Sequence, residues 1–203
     1  MEIILATGNK NKLREFREML SSDDVLIIPQ NEFKNCPEVI EDGQTFEENA
    51  LIKARAIAQH TGRITIADDS GLEVDYLDGA PGIYSARFAG EDADDDKNNQ
   101  KLLKELKGVP ENKRGAQFTC VIAIVSPAGN ERTVKGSFRG CIIEEYRGKA
   151  GFGYDPVFLD TASGLTYSEM SAEKKNSISH RSRAILELKK ILSEFLTAVK
   201  SEK

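Results

Sequence analysis

Apolar positions in the N-terminal part of the chain fall alternately into short unbroken runs and into helical stripes. Ile3, Ile4, Leu5 and Ala6 form a run of buried-strand type, and Leu13, Phe16, Met19 and Leu20 then recur at helical spacing. A second strand is predicted near residues 25–28 and stops at Pro29. Thr45-Phe46-Glu47-Glu48 has capping-box spacing, and Phe46, Ala50, Ala54, Ile57 and Ala58 carry a helix on to Gly62. A strand over residues 64–67 follows and ends in Asp68-Asp69-Ser70-Gly71. Strand and helix alternating in this way predict an α/β half with parallel pairing.

The rhythm changes later in the chain. Leu102, Leu103 and Leu106 mark a helix whose start is fed by the acidic cluster Glu91, Asp92, Asp94, Asp95 and Asp96, read here as a solvated loop at the positive end of the helix. Residues 118–125 and 132–143 are β-rich and joined by Pro127-Ala128-Gly129-Asn130, the pattern of an antiparallel hairpin. Ala184, Ile185, Leu188, Ile191, Leu192, Phe195, Leu196 and Val199 lie on one stripe of a long amphipathic helix that should pack on the sheet. The predicted architecture is α/β, one 1–203 unit built on a mixed sheet with flanking helices and two lobes, with a cleft left between the lobes.

Composition narrows the function classes. A formal net charge of -5 over 203 residues argues against a nucleic-acid or anionic-membrane surface, both of which call for a basic face. The longest aliphatic run, residues 121–125, is far too short to cross a bilayer, and no basic region leads into an apolar segment at the N-terminus. Cys36, Cys120 and Cys141 show no C-x-x-C spacing, which fits a reduced cytoplasmic protein, and His60 and His180 are too few for a zinc site. A small polyanion remains a possible ligand if local cations and a metal ion offset the acidity.

Four stretches carry candidate chemistry. Thr7-Gly8-Asn9-Lys10-Asn11-Lys12 brings a glycine turn and two lysines to a helix start, where unpaired N–H groups and the helix dipole favour an anion; solvated lysines on an ordinary βα unit fit it equally well. Asp68-Asp69-Ser70 places two carboxylates and a hydroxyl where a buried strand should end, a place for a divalent cation or a general base, although Asp, Ser and Gly are also turn formers. Glu41, just before the second helix, is a candidate partner for the same ion, and Asn49 and Lys53 face either a site or solvent. Gly151-Phe152-Gly153-Tyr154-Asp155-Pro156 sets an aromatic between glycines, where it forms either a platform for a flat ring or a core turn. In Ser179-His180-Arg181, an arginine at a helix start opposes the dipole and is better explained if it reaches a ligand.

In order along the chain, Thr7-Gly8-Asn9-x-x-Lys12, Thr45-Phe46-x-Glu48-Asn49-Ala50-x-x-Lys53-Ala54, Ala67-Asp68-Asp69-Ser70-Gly71-Leu72, Gly79-Ala80-Pro81-Gly82-Ile83-Tyr84-Ser85-Ala86-Arg87, Gly151-Phe152-Gly153-Tyr154-Asp155-Pro156 and Ser179-His180-Arg181 resemble the inosine/xanthosine triphosphate pyrophosphatase family. The resemblance implies a long mixed sheet, a nucleotide cleft between two lobes, a homodimer, and Mg²⁺-dependent hydrolysis of ITP, dITP and XTP to the monophosphate and pyrophosphate. By motif position, Thr7, Gly8, Asn9, Lys10, Asn11 and Lys12 would contact phosphates, Glu41 and Asp69 would hold the metal, and Asp69 would accept the proton of the attacking water. Ser70, Phe152, Gly153, Tyr154, Asp155, Lys175, His180 and Arg181 would line the rest of the nucleotide site. Two other readings stay open: a pyrophosphatase for modified pyrimidine nucleotides, and a nucleotide sensor without catalysis, which the acids Glu41, Asp68 and Asp69 speak against.

Overall fold

A computed structural model describes residues 1–21 and 25–201. These residues form the strands β1 (Glu2–Leu5), β2 (Leu26–Pro29), β3 (Thr65–Val74), β4 (Gly115–Val125), β5 (Glu131–Ile142), β6 (Phe158–Asp160) and β7 (Leu165–Thr166). The helices are α1 (Lys10–Leu20), α2 (Phe46–Thr61), α3 (Asp95–Glu105), α4 (Ala172–Ile178) and α5 (His180–Ser201). The seven strands make one mixed sheet in the order β2-β1-β3-β4-β5-β6-β7. β1 runs parallel to both β2 and β3, as the strand-helix alternation requires, and β6 runs antiparallel to both β5 and β7. β4 and β5 are neighbours joined by a short loop in which Ser126 and Asn130 are hydrogen-bonded, so they form the expected hairpin.

Local chemistry starts and stops these elements where the sequence indicates. Thr45 Oγ1 accepts the Glu48 N–H at 3.1 Å, and the Glu48 carboxylate reaches back to accept the Gln44 N–H at 2.6 Å, one residue before the position a standard capping box would use. Gly62 closes α2 in the left-handed region. Asp94 accepts the Lys97 N–H and starts α3 at the acidic cluster.

The chain packs into two compact units. The first comprises Met1–Asp69, Cys120–Gly136 and Arg181–Lys203, the second Ser70–Thr119 and Ser137–His180, so the division falls within β3, β4 and β5. In the first unit Ile3, Leu5, Ile66, Ile122 and Ile124 of the sheet pack against Phe16 of α1 and against the Ala184, Ile185, Leu188, Leu192, Phe195 and Val199 stripe of α5. That stripe is core, as its period predicts. In the second unit Leu72, Val74, Leu102 and Leu106 join an aromatic group in which Phe118 and Phe158 lie 4.6 Å apart and Phe158 and Tyr167 5.0 Å apart. No helix among the described residues is long and apolar enough to cross a membrane.

Two expectations need correction. β3 does not end at Ala67 but continues to Val74, so Asp68 and Asp69 lie inside a strand and not on a strand-end loop. The pleat therefore sends the two carboxylates to opposite faces. Gly8 is also not a glycine required by a turn: its φ lies outside the left-handed region, and a Cβ there would meet nothing within 4 Å.

Candidate active site

In the first unit the two aspartates serve two separate charge clusters. Asp68, whose side chain is fully buried, accepts Lys12 Nζ at 3.0 Å and Arg181 Nη2 at 3.2 Å, and Arg181 Nη1 donates to Glu15 Oε2 at 2.5 Å. Lys12 comes from the first turn of α1, Glu15 lies three residues on along the same face, and Arg181 comes from the first turn of α5. Burial alone would pull the Arg181 guanidinium down, but Asp68 and Glu15 hold it above the ordinary arginine value. Its unfavourable place at a helix start is thus offset by two internal carboxylates; an external ligand is not required to explain it.

Asp69, on the other face of β3, meets α2. Asn49 Nδ2 donates to Asp69 Oδ2 at 3.2 Å, while Asn49 Oδ1 accepts the Gly43 N–H at 2.9 Å. Lys53, one turn further along the same face of α2, lies 2.6 Å from Glu41 Oε2 and 3.6 Å from Asp69 Oδ1. Burial pushes the Asp69 carboxyl above the usual carboxylate range; Lys53 and Lys12 pull it back, and Glu41 and Asp68 push it further up. Lys53 is drawn the other way by burial but ends above its ordinary value because of Asp69 and Glu41. Glu41 and Asp69 therefore converge on one positive centre.

The loop before α1 presents fewer backbone donors than a bare helix start. Asn9 Oδ1 accepts the N–H groups of Asn11 and Lys12 at 2.9 and 3.1 Å, and Thr7 Oγ1 accepts the Asn9 N–H at 3.1 Å. Among the described residues the Gly8 and Lys10 amides have no hydrogen-bond partner, and they lie beside the open space that a Cβ at Gly8 would occupy. Lys10 is exposed, whereas Asn11 and Lys12 are half-buried.

The second unit holds the remaining candidates. Asp155 Oδ2 accepts the Phe152 N–H at 2.9 Å and Lys175 Nζ at 2.6 Å, and the Lys175 ammonium lies 4.7 Å from the centre of the half-buried Phe152 ring. Gly151 and Gly153 both adopt positive φ, and a Cβ on Gly151 would collide with the Asp155 carboxylate. Tyr154 is a core residue whose hydroxyl donates to the Ser85 carbonyl at 2.8 Å. His180 is buried and stacks on Phe118 with ring centroids 4.7 Å apart. Ser70 is half-buried in β3.

Comparison with known proteins places the chain in a family. A family model described as the Ham1 family matches residues 3–191. The chain belongs to the Ham1 family. It is 51% identical over 193 residues to the dITP/XTP pyrophosphatase of Desulforamulus reducens, covering 95% of this chain and 96% of the relative. It is 45% identical over 191 residues to the protein of that name in Bacillus subtilis, covering 94% and 96%. The structure of a HAM1 protein from Coxiella burnetii aligns with a TM-score of 0.87 at 42% identity, over 96% of this chain and 99% of the other. That of a nucleoside-triphosphatase / dITP/XTP pyrophosphatase from Mycobacterium abscessus aligns with a TM-score of 0.76 at 42% identity, over 93% and 98%.

In this Ham1 chain a divalent cation is a chemical fit to the Asp69 cluster. Among the described residues, the Asp69 cluster sets two carboxylates, Glu41 and Asp69, against one ammonium, Lys53, which leaves one carboxylate in excess. Among the described residues no group of three or more His, Cys, Asp or Glu is arranged to cage a metal. Two carboxylates without a cage suit Mg²⁺, which usually takes one or two protein carboxylates and completes its shell with water and substrate phosphates. Glu15, Asn49 and Lys53 were not assigned from sequence, although the three- and four-residue spacings Lys12–Glu15 and Asn49–Lys53 are the signal that pairs them.

Proposed function

We propose that this chain hydrolyses deaminated purine nucleoside triphosphates (ITP, dITP and XTP) to the monophosphate and pyrophosphate, removing them from the nucleotide pool. The observation that carries this reading is the convergence of Glu41 and Asp69 on one cationic centre in a Ham1 chain whose relatives are named dITP/XTP pyrophosphatases. Glu41 and Asp69 would hold Mg²⁺, which when bound neutralises charge on the triphosphate as the anhydride breaks.

The protein's own groups do the rest. Lys12 and the Gly8 and Lys10 amides bind phosphate oxygens, helped by the Thr7, Asn9 and Asn11 side chains. Asp69, with its raised pKa, accepts the proton of a water whose oxygen bonds to the α-phosphorus; the bond from that phosphorus to the bridging oxygen breaks, and pyrophosphate leaves with the electron pair. Asn49 holds the Asp69 carboxylate in place, and Lys53 offsets its charge before substrate arrives. Phe152 offers a face for purine stacking, with Lys175 and Asp155 fixing the loop, Gly153 and Tyr154 shaping its backbone, and Ser70, His180 and Arg181 supporting the nucleotide site. The active form is a homodimer in the cytoplasm, where Cys36, Cys120 and Cys141 stay thiols; light scattering at twice the mass of one chain checks the dimer.

The deciding experiment incubates the purified protein and Mg²⁺ with a panel of nucleoside triphosphates and identifies the products. IMP plus pyrophosphate from ITP is expected. Activity confined to modified pyrimidines, or binding without products, would overturn the assignment.

A further inference from the structure

Helix α3 begins in the acidic cluster that the sequence marks as solvated, yet its first turns make directed contacts within the second unit. Asp95 Oδ2 accepts the Gly153 N–H at 2.6 Å, and Asn99 Nδ2 donates to the Gly153 carbonyl at 2.8 Å. Both polar groups of one peptide residue are thus held by side chains one turn apart on one helix. Asn99 Nδ2 also donates to the Asp95 carbonyl at 2.8 Å, so turning the amide over would set its oxygen against two carbonyl oxygens. Asn99 is 1% exposed, and its Oδ1 has no hydrogen-bond partner among the described residues. A buried acceptor left in that state calls for an explanation, and the two donated bonds supply one.

Gly153 directly follows Phe152. The Phe152 N–H is bonded to Asp155, and the next residue is pinned to α3, so the ring is carried on backbone fixed from both sides. Tyr146, whose hydroxyl donates to Asp96 at 2.9 Å, ties the start of the same segment to the same helix turn.

We propose that Asp95 and Asn99 are positioning residues for nucleotide binding: they clamp the Gly153 peptide and thereby set the plane of the Phe152 ring for the purine. This rests on the pyrophosphatase reading and deepens it. The clamp acts on binding of the base and not on the chemical step. Its loss should raise the KM for ITP by about tenfold, the size of one directed hydrogen bond, while kcat stays within about twofold.

The test measures kcat and KM for ITP in Asp95→Ala, Asn99→Ala and Asp95→Asn, each also in a Phe152→Ala background, with Asp92→Asn as the control for removing a nearby exposed charge. Expected are a raised KM in both alanine variants, recovery in Asp95→Asn, which keeps an acceptor, no change in Asp92→Asn, and no further rise once Phe152 is gone. An unchanged KM, or an equal rise with and without Phe152, would overturn the clamp; a merely structural role would lower active fraction and kcat instead. If the wild-type protein turns over no triphosphate, the functional reading fails separately. Amide exchange then tests the clamp alone: faster exchange at Gly153 in Asp95→Ala with α3 unchanged supports it, and unchanged exchange rejects it.

Discussion

Asp68 and Asp69 are adjacent, identical and indistinguishable by composition, but the pleat of β3 gives them different partners. Asp68 is locked between Lys12 and Arg181, whereas Asp69 touches Asn49 and Lys53 and keeps the raised pKa that a proton acceptor needs. Asp69→Asn should therefore lower kcat by about 10²- to 10⁴-fold with ITP binding retained, the usual size of a general-base contribution. Near-normal turnover in the purified variant would remove Asp69 from that role. Arg181 behaves differently because it is wholly internal. Arg181→Met leaves Glu15 and Asp68 buried without their shared cation and should cost about 3–5 kcal/mol of stability, with Lys12 keeping the loss toward the lower end. A urea-unfolding midpoint that does not move would contradict the buried network. Of this site, the motif residues were legible in sequence. Their pairing was not, since Glu15 and Arg181 are 166 positions apart and meet only in the folded chain.

Elements with a full period declared themselves: the capping residues of α2, the stripe of α5 and the strand runs of the parallel half were all readable. β6, β7 and α4 were not, because three, two and seven residues are too short to show a period against their neighbours. The continuation of β3 past Ala67 was hidden for another reason. Asp, Ser and Gly have turn propensity, and sheet pairing overrides it here. Glycines separate the two proposed binding loops in a way that can be measured. Gly8 has ordinary φ and open space around its Cβ position, so Gly8→Ala should leave thermal stability within error while raising KM for ITP, by filling the space a phosphate would occupy. Gly151 has φ of 82° and abuts the Asp155 carboxylate, so Gly151→Ala should lose about 1–3 kcal/mol and weaken nucleotide binding as well. The same outcome for both variants, read by calorimetric melting and steady-state kinetics, would show that the two loops are not built on different principles.

At the scale of the whole molecule, a chain of net charge -5 has to hold a polyanion, and bulk attraction works against it. Local arrangement resolves this: cations are drawn inward onto carboxylates, and the Asp69 cluster retains an excess of negative charge that a divalent ion would neutralise. The pH dependence follows from the same excess. Without metal, burial and the neighbouring Glu41 and Asp68 hold the folded-state pKa of Asp69 above its unfolded value of about 4, so the folded protein binds that proton more tightly. The Asp69 contribution to metal-free stability is therefore fully present below about pH 4 and declines as pH rises through the raised folded value. Mg²⁺ held by Asp69 would compete with that proton, so its stabilisation would run in the opposite direction, small at low pH and growing as Asp69 ionises. Melting the protein with and without Mg²⁺ from about pH 4 to about pH 8 should show a metal-induced rise in Tm that grows as pH climbs through the raised Asp69 value and is lost in Asp69→Asn. A shift of constant size across that range, or one that survives in Asp69→Asn, would place the ion elsewhere in the molecule.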